Sequence, residues 1–363
     1  MKSVNYKTDV CIVGAGPGGA LLAYLLAKQN VSVILIERHQ KIAKAFRGEH
    51  LNEEGEAILK KHGLFSKVEE LGMLAMESLE YWENGKLLKK IQPDPKVGHL
   101  GIHVPQAHLL QVLIEEAKQY PNFTLLTNTK VVDLLVNEQN NIYGVKALNE
   151  GKELSIECGL TVGADGRYST VRKKAGIEVS KRKHGYDLLW ARIPAPPGWE
   201  PSIKMALIDG FQLSLFTQAK GYVQIGWNIE EGSFPELRKQ PFTPFIDKLI
   251  MAFPILEQSV KENIQSWNDF VLLDVHSNFS ENWGGNGVAF VGDAVHTMTP
   301  TGAFGLNSAM KDADCLAQII TPEEINKLDL INCETERKRE IERLQAIQIE
   351  KEQSFATQFV IYS

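Results

Sequence analysis

A glycine-rich turn between two short apolar runs is the feature that most constrains what this chain can fold into. The run Thr8–Val13 is rich in β-branched residues, which is typical of a buried strand. The glycine-rich segment Gly14–Gly19 follows, and then an alanine- and leucine-rich stretch of helical composition, Ala20–Lys28. A second apolar run, Val31–Ile36, ends in the acidic residue Glu37. This order predicts a strand, a helix and a second strand within about 30 residues, as in a β-α-β unit.

Each predicted role of a glycine in this turn has a physical reason. Gly14 would allow a tight turn, Gly16 would let a pyrophosphate approach the backbone, and Gly19 would allow close packing of helix on strand. The amide groups at the start of the helix would then face the phosphates, where the helix dipole favours negative charge. Glu37, 18 residues after Gly19, is placed to accept hydrogen bonds from a ribose hydroxyl. Because a carboxylate repels a 2′-phosphate, the pattern predicts FAD or NAD rather than NADP.

The composition argues against several other classes of protein. The chain of 363 residues has 39 lysines and arginines against 45 aspartates and glutamates, a net charge of −6 that argues against nucleic-acid binding. The most apolar stretches, Ala20–Ala27 and Val31–Ile36, are shorter than the roughly 20 residues of a membrane-spanning helix, so no integral membrane segment is expected. The first residues lack a signal-peptide pattern, and a cytoplasmic protein is expected.

Neither the cysteines nor the histidines predict a disulfide or a metal site. The four cysteines are scattered without a C-x-x-C pair and are expected to be reduced: Cys11, Cys158, Cys315 and Cys333. His99 and His103 are four residues apart, as in a helical metal pair, but nearby glycines and a proline disfavour a helix there. No acidic residue or cysteine completes a ligand set, so no metal is expected.

The rest of the chain predicts a second, mostly β region inserted into the first. A hairpin with an Asn-Gly turn is predicted over Leu79–Leu88, and a helix over Gln106–Tyr120. Residues Gly185–Leu273 indicate several strands, broken by prolines, and the charged stretch Cys333–Gln358 indicates an exposed amphipathic helix. The predicted fold class is therefore α/β, with a Rossmann-like dinucleotide-binding domain, an inserted mostly β domain and a C-terminal helix.

Two later motifs decide between the possible dinucleotides. The first is Val162–Arg172, with the sequence VGADGRYSTVR after an apolar strand. The second is Val288–His296, with the sequence VAFVGDAVH, and it continues through Pro300 to Asn307. In order and spacing, the glycine turn and these two motifs resemble the class A flavoprotein monooxygenases, the para-hydroxybenzoate hydroxylase-like family. The resemblance covers at least residues 8–315 and implies FAD as the bound cofactor.

The resemblance also implies how the chain divides into domains. A discontinuous FAD-binding domain would be interrupted twice by a substrate domain, and the C-terminal helix would follow both. The expected boundaries are 1–74, 98–183 and 274–332 for the FAD-binding domain, 75–97 and 184–273 for the substrate domain, and 333–363 for the C-terminal helix.

The resemblance implies a role toward FAD for individual motif residues. Asp293 would hold the ribityl chain, although an aspartate there could instead cap the next helix. Asp165 and Arg172 would serve both FAD and the reduced nicotinamide, although the two could simply pair to hold their turn. Pro300 would line the reactive face of the flavin ring. The other cofactor-binding residues that the resemblance implies are Arg47, Gln106, Gly292, Gly302, Gly305, Leu306 and Asn307; a surface arginine and a helix-starting glutamine are the alternatives for the first two.

The function that the resemblance implies is a single-component FAD monooxygenase. NADH or NADPH would bind transiently and reduce the flavin, which would react with O2 to a C4a-hydroperoxide that hydroxylates an electron-rich, aromatic small molecule. No catalytic side chain is named, because the flavin carries the chemistry. The substrate, the choice between NADH and NADPH, and the oligomeric state stay open.

Three alternatives on the same fold are open. A halogenase or a reductase would use flavin reduced by a partner. The halogenase is disfavoured because the stretch Trp190–Pro194 lacks the second tryptophan of the halogenase motif. A non-enzymatic binding protein is disfavoured because it would not need the glycine turn, Glu37 and Asp293 together.

Overall fold

The computed structural model describes residues 4–42, 49–323, 325 and 330–354. Its strands in chain order are β1 (Val4–Val13), β2 (Val33–Ile36), β3 (His50–Leu51), β4 (Leu74–Ala75), β5 (Ser78–Glu83), β6 (Lys86–Ile91), β7 (Ile102–His103), β8 (Phe123–Leu126), β9 (Thr129–Val136), β10 (Ile142–Asn149), β11 (Lys152–Gly163), β12 (Ser180–Lys183), β13 (Tyr186–Pro194), β14 (Ser202–Ile208), β15 (Phe211–Gln218), β16 (Tyr222–Glu230), β17 (Val271–Leu273), β18 (His276–Phe279), β19 (Gly284–Gly285), β20 (Val288–Phe290) and β21 (His296–Thr297). Its α-helices are α1 (Pro17–Lys28), α2 (Glu53–Lys61), α3 (Phe65–Leu71), α4 (Gln106–Ala117), α5 (Thr170–Lys174), α6 (Phe234–Leu237), α7 (Thr243–Ala252), α8 (Glu257–Asn263), α9 (Phe304–Ile319) and α10 (Ile331–Gln353).

The predicted β-α-β unit lies at the centre of an eight-stranded sheet. Five of its strands run parallel in the order β20, β11, β1, β2 and β8. Strand β19 continues this path beyond β20, while β10 and β9 extend β11 as antiparallel partners. A parallel sheet that begins with a strand, a glycine turn and a helix confirms the predicted Rossmann-like fold class.

Helix α1 is buried because its sequence is almost entirely apolar. Every residue from Gly18 to Ala27 is buried, and Lys28 is the only charged residue of the helix. The helix packs in one apolar core with α4 and α9, whose buried residues include Leu113 and Met310. A helix that is apolar on all sides must be covered on all sides, so α1 is sandwiched between the sheet and its neighbouring helices.

A seven-stranded sheet forms the second half of the molecule. Its strand order is β17, β13, β16, β15, β14, β5 and β6, and only the β14–β5 pair is parallel. The predicted hairpin is confirmed as β5 and β6, with Asn84 and Gly85 both at positive φ in the turn. One face of the sheet packs on α7 and α8 in a core that includes Trp227. The opposite face of this sheet lies toward the first half of the chain. Gln218, at the end of β15, donates from Nε2 to Glu49 Oε2.

This region contains three helices that the sequence analysis did not predict. Proline stands in the first turn of both α6 and α7. Proline is tolerated in the first helical turn, where an amide hydrogen would have no partner within the helix. Pro235 and Pro244 therefore begin helices, where the sequence was interpreted as broken strands.

The C-terminal helix α10 is largely exposed, as expected, but its buried face is not formed by apolar residues alone. The apolar positions predicted an exposed amphipathic helix, and the buried residues of α10 are Ile341 together with the polar Arg337 and Gln348. The inner face of the helix is thus largely polar and makes hydrogen bonds instead of apolar contacts alone. Apolar spacing could not show this, because polar residues are buried only where partners on other elements satisfy them.

The expectation that all four cysteines are reduced is wrong for one pair. Cys315 on α9 and Cys333 on α10 form a disulfide with a Cα–Cα distance of 6.0 Å. Cys11 and Cys158 are free and buried. The pairing could not be predicted from sequence, because it depends on α9 and α10 packing side by side.

Candidate active site

The predicted site residues meet because four parallel strands end at one edge of the first sheet. The last residues of β1, β2, β11 and β20 are in register with one another along the sheet. In a parallel sheet the residues that follow the carboxyl ends of the strands lie together. The site residues that follow these strand ends are Gly14, Glu37, Asp165 and Gly292.

The three glycines of the first turn differ in the space that each leaves for a side chain. Gly14 has φ +108°, and a Cβ there would lie 2.4 Å from the carbonyl oxygen of Ala164. A Cβ on Gly19 would lie 2.0 Å from the carbonyl oxygen of Gly14. A Cβ on Gly16 would meet nothing within 4 Å. Gly14 and Gly19 therefore serve the packing of the turn, whereas Gly16 borders open space at the start of α1.

The start of α1 leaves its backbone donors for a ligand. Gly16 is the N-cap, no side chain caps the helix, and the first turn carries no acidic residue. The first amide groups of a helix have no partner within the helix, and the dipole makes this end favourable for an anion. The turn thus has the shape and the donors that a pyrophosphate needs.

Glu37 supports the glycine turn from the end of β2. Its carboxylate is buried and accepts from the amide of Ala15 at 3.2 Å and from the amide of His39 at 3.0 Å. A carboxylate has about four acceptor positions, so these two bonds leave capacity for a hydroxyl donor. Acceptance from a ribose hydroxyl stays a prediction for this residue.

Asp165 and Arg172 do not pair with each other. The carboxylate of Asp165 accepts from Ser169 Oγ at 2.5 Å and from the amide of Thr170 at 2.6 Å at the start of α5. Burial raises the pKa of Asp165, although these hydrogen bonds oppose the effect. Arg172 reaches across to the carbonyl oxygen of Ala294. The arginine therefore joins the second motif to the third, a contact that the sequence analysis missed.

Asp293 is not a helix cap. Its side chain makes no capping bond at the short helical turn Gly292–Ala294, and it is 33% exposed. Asp293 Oδ2 lies 3.8 Å from Nε of Arg167, a buried nitrogen that has no hydrogen-bond partner. Buried polar groups are normally paired, so this donor and the nearby carboxylate favour a polar ligand at this position.

A buried polar cluster holds the backbone of the third motif. Gly292 has φ +61°, and its amide donates to Asp312 Oδ2 at 2.8 Å. The same carboxylate bonds His296 Nε2 at 2.6 Å and accepts from Arg337 Nε at 2.8 Å. Burial alone would raise the pKa of Asp312, but His296 and Arg337 lower it to about 2. Sequence reasoning assigned no role to these three residues, because they come from three separate elements: α9, α10 and the start of β21.

The loop that enters α9 has an unusual backbone. Gly302 has φ +78° and Ala303 has φ +54°, and no side chain caps the helix that follows. Gly305 and Leu306 lie in its first turn beyond the half-buried Pro300. The first amides of α9, which no side chain caps, thus belong to residues that are predicted to bind the cofactor.

Asn307 fixes this loop to the first half of the chain. Its Nδ2 donates to the carbonyl oxygen of His50 at 3.0 Å, and its Oδ1 accepts from the amide of Asn52 at 3.2 Å. Its side chain is therefore occupied by protein groups, which leaves the backbone as its contact with a ligand. Arg47 lies outside the described residues.

Gln106 stands at the junction of the two halves. The backbone amide of Gln106 donates to Glu49 Oε1 at 3.1 Å. Glu49 also bonds Nε2 of His103 at 3.1 Å, and Nδ1 of that ring accepts from the amide of Ala219 at 3.0 Å. Because Nδ1 accepts, Nε2 carries the proton and donates to Glu49.

Burial, and then the neighbouring His103, lower the pKa of His50 to about 4.

Among the described residues there is no group of three His, Cys, Asp or Glu side chains that could hold a metal ion. No helix in the described ranges is long and apolar enough to cross a membrane.

Known proteins of similar structure share this architecture. PqsL of Pseudomonas aeruginosa in complex with 2-aminobenzoylacetate superposes with a TM-score of 0.81 at 20% identity, over 97% of this chain and 96% of that one. The myxobacterial chondrochloren halogenase CndH superposes with a TM-score of 0.76 at 20% identity, over 93% of this chain and 79% of that one. At these identities the likeness shows the fold alone.

Sequence comparison identifies the family. Residues 7–324 match the family described as FAD binding domain. 6-Methylpretetramide 4-monooxygenase of Streptomyces rimosus is 32% identical over 351 residues, 94% of this chain and 83% of that protein. p-Hydroxybenzoate hydroxylase of Acinetobacter baylyi is 24% identical over 327 residues, 86% of this chain and 77% of that protein. Several other curated relatives are longer, and the chain spans 62% of squalene epoxidase 4 of Arabidopsis thaliana. The chain therefore belongs to the FAD-binding-domain family of p-hydroxybenzoate hydroxylase-like monooxygenases, and it is an FAD-dependent oxidoreductase.

Proposed function

We propose that this oxidoreductase is a single-component hydroxylase that uses NADH or NADPH and O2 to hydroxylate an electron-rich aromatic small molecule. The observation that carries the proposal is the open space over Gly16, at the edge where the three motifs meet. The unpartnered Nε of Arg167 beside Asp293 adds a polar position farther along the same edge. A glycine turn, a free helix start and a polar far end fit an elongated dinucleotide.

The residues present fit FAD. The turn Gly14–Gly19 and the start of α1 would hold the pyrophosphate, Glu37 a ribose and Asp293 the ribityl chain. The amides of Gly305, Leu306 and Asn307 would meet the ring, and Pro300 would lie against it. Bound FAD would accept hydride from the nicotinamide and activate O2 for transfer of one oxygen atom. Arg47, Gln106, Asp165, Arg172, Gly292 and Gly302 complete the cofactor-binding residues that we propose.

We assign the substrate to a substrate domain of residues 75–97 and 184–273. The site would lie on the face of the seven-stranded sheet that does not pack on α7 and α8, which we name the open face. Trp190 and Phe216 lie side by side on this face, with ring centroids 6.2 Å apart. A Cβ on Gly226 would lie 2.6 Å from the Trp190 ring, so the glycine lets that ring lie flat on the strand. Farther along, Gln212 accepts from Asn228 at 2.9 Å. Aromatic walls beside a few polar groups fit a planar molecule with oxygen substituents.

One observation beyond the paired rings supports an aromatic substrate. The open face continues into a mostly polar surface groove of about 510 Å³, whose lining includes Tyr186, Gln212 and Asn228 and could meet oxygen substituents. The relative that is 32% identical carries the name of an enzyme acting on 6-methylpretetramide. We therefore expect a phenolic, and by preference polycyclic, substrate. Exclusion of water by the two halves would limit wasteful release of hydrogen peroxide.

The test is to purify the chain, examine it for bound flavin, and follow NADH and NADPH oxidation together with O2 uptake. A panel of aromatic acids, phenols and polycyclic phenols is added singly. We expect a yellow protein whose nicotinamide oxidation is stimulated by at least one phenol, with formation of the hydroxylated product. A colourless protein that takes up no added FAD would refute the proposal.

A flavoenzyme that receives reduced flavin from a partner is the second candidate, since a halogenase shares the fold. Flavin that binds but is reduced by neither nicotinamide would favour it. The stretch Trp190–Pro194 argues against a halogenase, because Arg192 stands where that motif has its second tryptophan. A cytoplasmic location is part of the proposal, since the nicotinamide co-substrates are expected there.

A further inference from the structure

The inner face of α10 contacts the segment that would lie against the flavin. Gln345, Gln348 and Glu352 are spaced i, i+3 and i+7, so they form one stripe along the helix. This stripe faces β21 and the residues Met298–Ala303, which we name the Pro300 segment. The segment continues from β21 without a strand partner of its own. Its position therefore depends on what packs against it.

Gln348 holds the backbone of the Pro300 segment. Its side chain is buried, and its Nε2 donates to the carbonyl oxygens of Thr299 at 2.8 Å and Thr301 at 2.5 Å. Its Oε1 accepts from the amide of Thr299 at 3.3 Å. Gln345 Nε2 donates to the carbonyl oxygen of Thr297 at 3.1 Å, immediately before the segment. The two glutamines thus replace the pairing that a neighbouring strand would supply.

Glu352 joins the Pro300 segment to the seven-stranded sheet. Its Oε1 accepts from Thr299 Oγ1 at 2.7 Å and from the hydroxyl of Tyr186 at 3.0 Å. Its Oε2 bonds His184 Nδ1 at 2.7 Å. The Tyr186 oxygen also lies 3.2 Å from Thr301 Oγ1, which closes the connection. The carboxylate of Glu352 therefore links α10 to the Pro300 segment and to the start of β13, on the two sides of the proposed active site.

The protonation states suit this arrangement. Burial would raise the pKa of Glu352, but the hydrogen bonds from His184 and Thr299 outweigh it and lower that pKa. Burial and the Glu352 charge raise the pKa of Tyr186, so its hydroxyl keeps its proton and donates. Hydrogen bonds to an ionised acceptor are stronger than neutral ones.

We propose that Glu352 is a positioning residue, whose bonds to Thr299, Tyr186 and His184 set the Pro300 segment against the flavin. The proposal rests on the proposed function, because it assumes that the segment faces the flavin ring. Glu352 would touch neither flavin nor substrate. It would act through Thr299 and Thr301, which flank Pro300. The C-terminal helix would then be part of the active-site framework, although it lies outside the three family motifs.

The test compares Glu352→Gln with Glu350→Gln, an exposed glutamate on the same helix. The amide side chain keeps the shape of Glu352 but removes its charge and turns a donor toward groups that already donate. Hydrogen–deuterium exchange is measured on the full chain without FAD and with FAD. Because bonds to a charged group contribute about 1.5–3 kcal/mol, we expect exchange in residues 298–303 of E352Q to be about tenfold faster or more. E350Q should match the wild type.

Tyr186→Phe serves as a second variant if E352Q does not fold. It removes one donor to Glu352 and leaves the others, so we expect a smaller increase in exchange over the same residues. In the double variant the effect should be less than the sum of the two, since both changes remove one shared bond. Unchanged exchange in both single variants would overturn the proposal.

Titration of FAD into the apo-protein separates this proposal from the proposed function. We expect E352Q to raise the Kd for FAD about tenfold and to shift the absorption spectrum of the bound flavin, with E350Q unchanged. A wild-type chain that takes up no FAD would overturn the proposed function. Faster exchange with an unchanged Kd and spectrum would overturn the positioning role alone.

Discussion

At the scale of single residues, two glycines of one turn differ in why a larger side chain would be unfavourable there. Gly19 has no room for a side chain, because a Cβ would lie 2.0 Å from the carbonyl oxygen of Gly14. Gly16 has room, because a Cβ would meet no atom within 4 Å, and its φ of −73° suits any residue. The sequence predicts both glycines as one motif. Only the geometry distinguishes Gly19, which the fold requires, from Gly16, which we propose that the ligand requires.

Substitution of each glycine by alanine tests this separation. We expect Gly16→Ala to keep the melting temperature of the apo-protein and to raise the Kd for FAD tenfold or more, since its methyl group occupies the space proposed for the pyrophosphate. We expect Gly19→Ala to lose about 1–3 kcal/mol of stability, because the turn must open. Thermal melting and fluorescence titration with FAD measure the two effects. Tight FAD binding by G16A would contradict the assignment.

His50 predicts a pH dependence of stability. Its pKa is about 4 in the folded protein against 6.5 for a free histidine, through burial and the neighbouring His103. Between these values the unfolded chain binds a proton that the folded protein does not, so stability falls as the pH is lowered from 6.5 to 4. The loss attributable to His50 is about 3 kcal/mol.

Urea unfolding of the full chain at several pH values checks this expectation. His50→Gln should flatten the dependence between pH 6.5 and 4, and the exposed His39→Gln should leave it unchanged. An equal slope in H50Q and the wild type would assign the pH dependence to other groups.

At the scale of elements, the sequence predicts those whose pattern is local. The helix predicted over Gln106–Tyr120 is α4, Gln106–Ala117, and the hairpin predicted over Leu79–Leu88 is formed by β5 and β6. The inner face of α10 could not be predicted, because its buried Arg337 and Gln348 are satisfied by residues far away in the chain. Burial of polar residues depends on such partners, which hydropathy does not encode.

The disulfide allows a test of how much the attachment of α10 to α9 stabilises the fold. Cys315 and Cys333 are 18 residues apart, and closing a loop of about this length stabilises a protein by about 3 kcal/mol. We expect a reductant to lower the free energy of unfolding by this order, measured by urea denaturation with and without the reductant. Cys315→Ala/Cys333→Ala should be as unstable as the reduced wild type and insensitive to the reductant. Equal stability of the oxidised and reduced protein would show that the disulfide does not stabilise the fold.

At the scale of the whole molecule, the site follows from strand order. Gly14, Asp165 and Gly292 are far apart in sequence, and they meet because β11 lies between β1 and β20. The motifs in sequence order predict which residues meet, given the resemblance. The contacts between the motifs, such as Arg172 to Ala294, could not be predicted. They depend on distances across the sheet edge, which neither periodicity nor spacing contains.

The proposed substrate face can be tested by a substitution at Phe216. Phe216 is half-buried on the open face of the seven-stranded sheet and contacts Trp190, outside the core that packs on α7 and α8. Its removal should therefore cost little stability and leave the cofactor edge untouched. If this face holds the substrate, Phe216→Ala should raise the KM for the aromatic substrate about tenfold or more, with an unchanged Kd for FAD.

Steady-state kinetics with the best phenol of the panel, together with FAD titration, measures this outcome. Tyr143→Ala, an exposed aromatic residue on the first sheet, is the matched control and should change neither constant. If the ring of Phe216 holds the substrate in place, its loss should also lower the coupling of nicotinamide oxidation to hydroxylation. More hydrogen peroxide should then form per nicotinamide oxidised. An F216A variant with wild-type KM and coupling would show that the substrate does not bind on this face of the sheet.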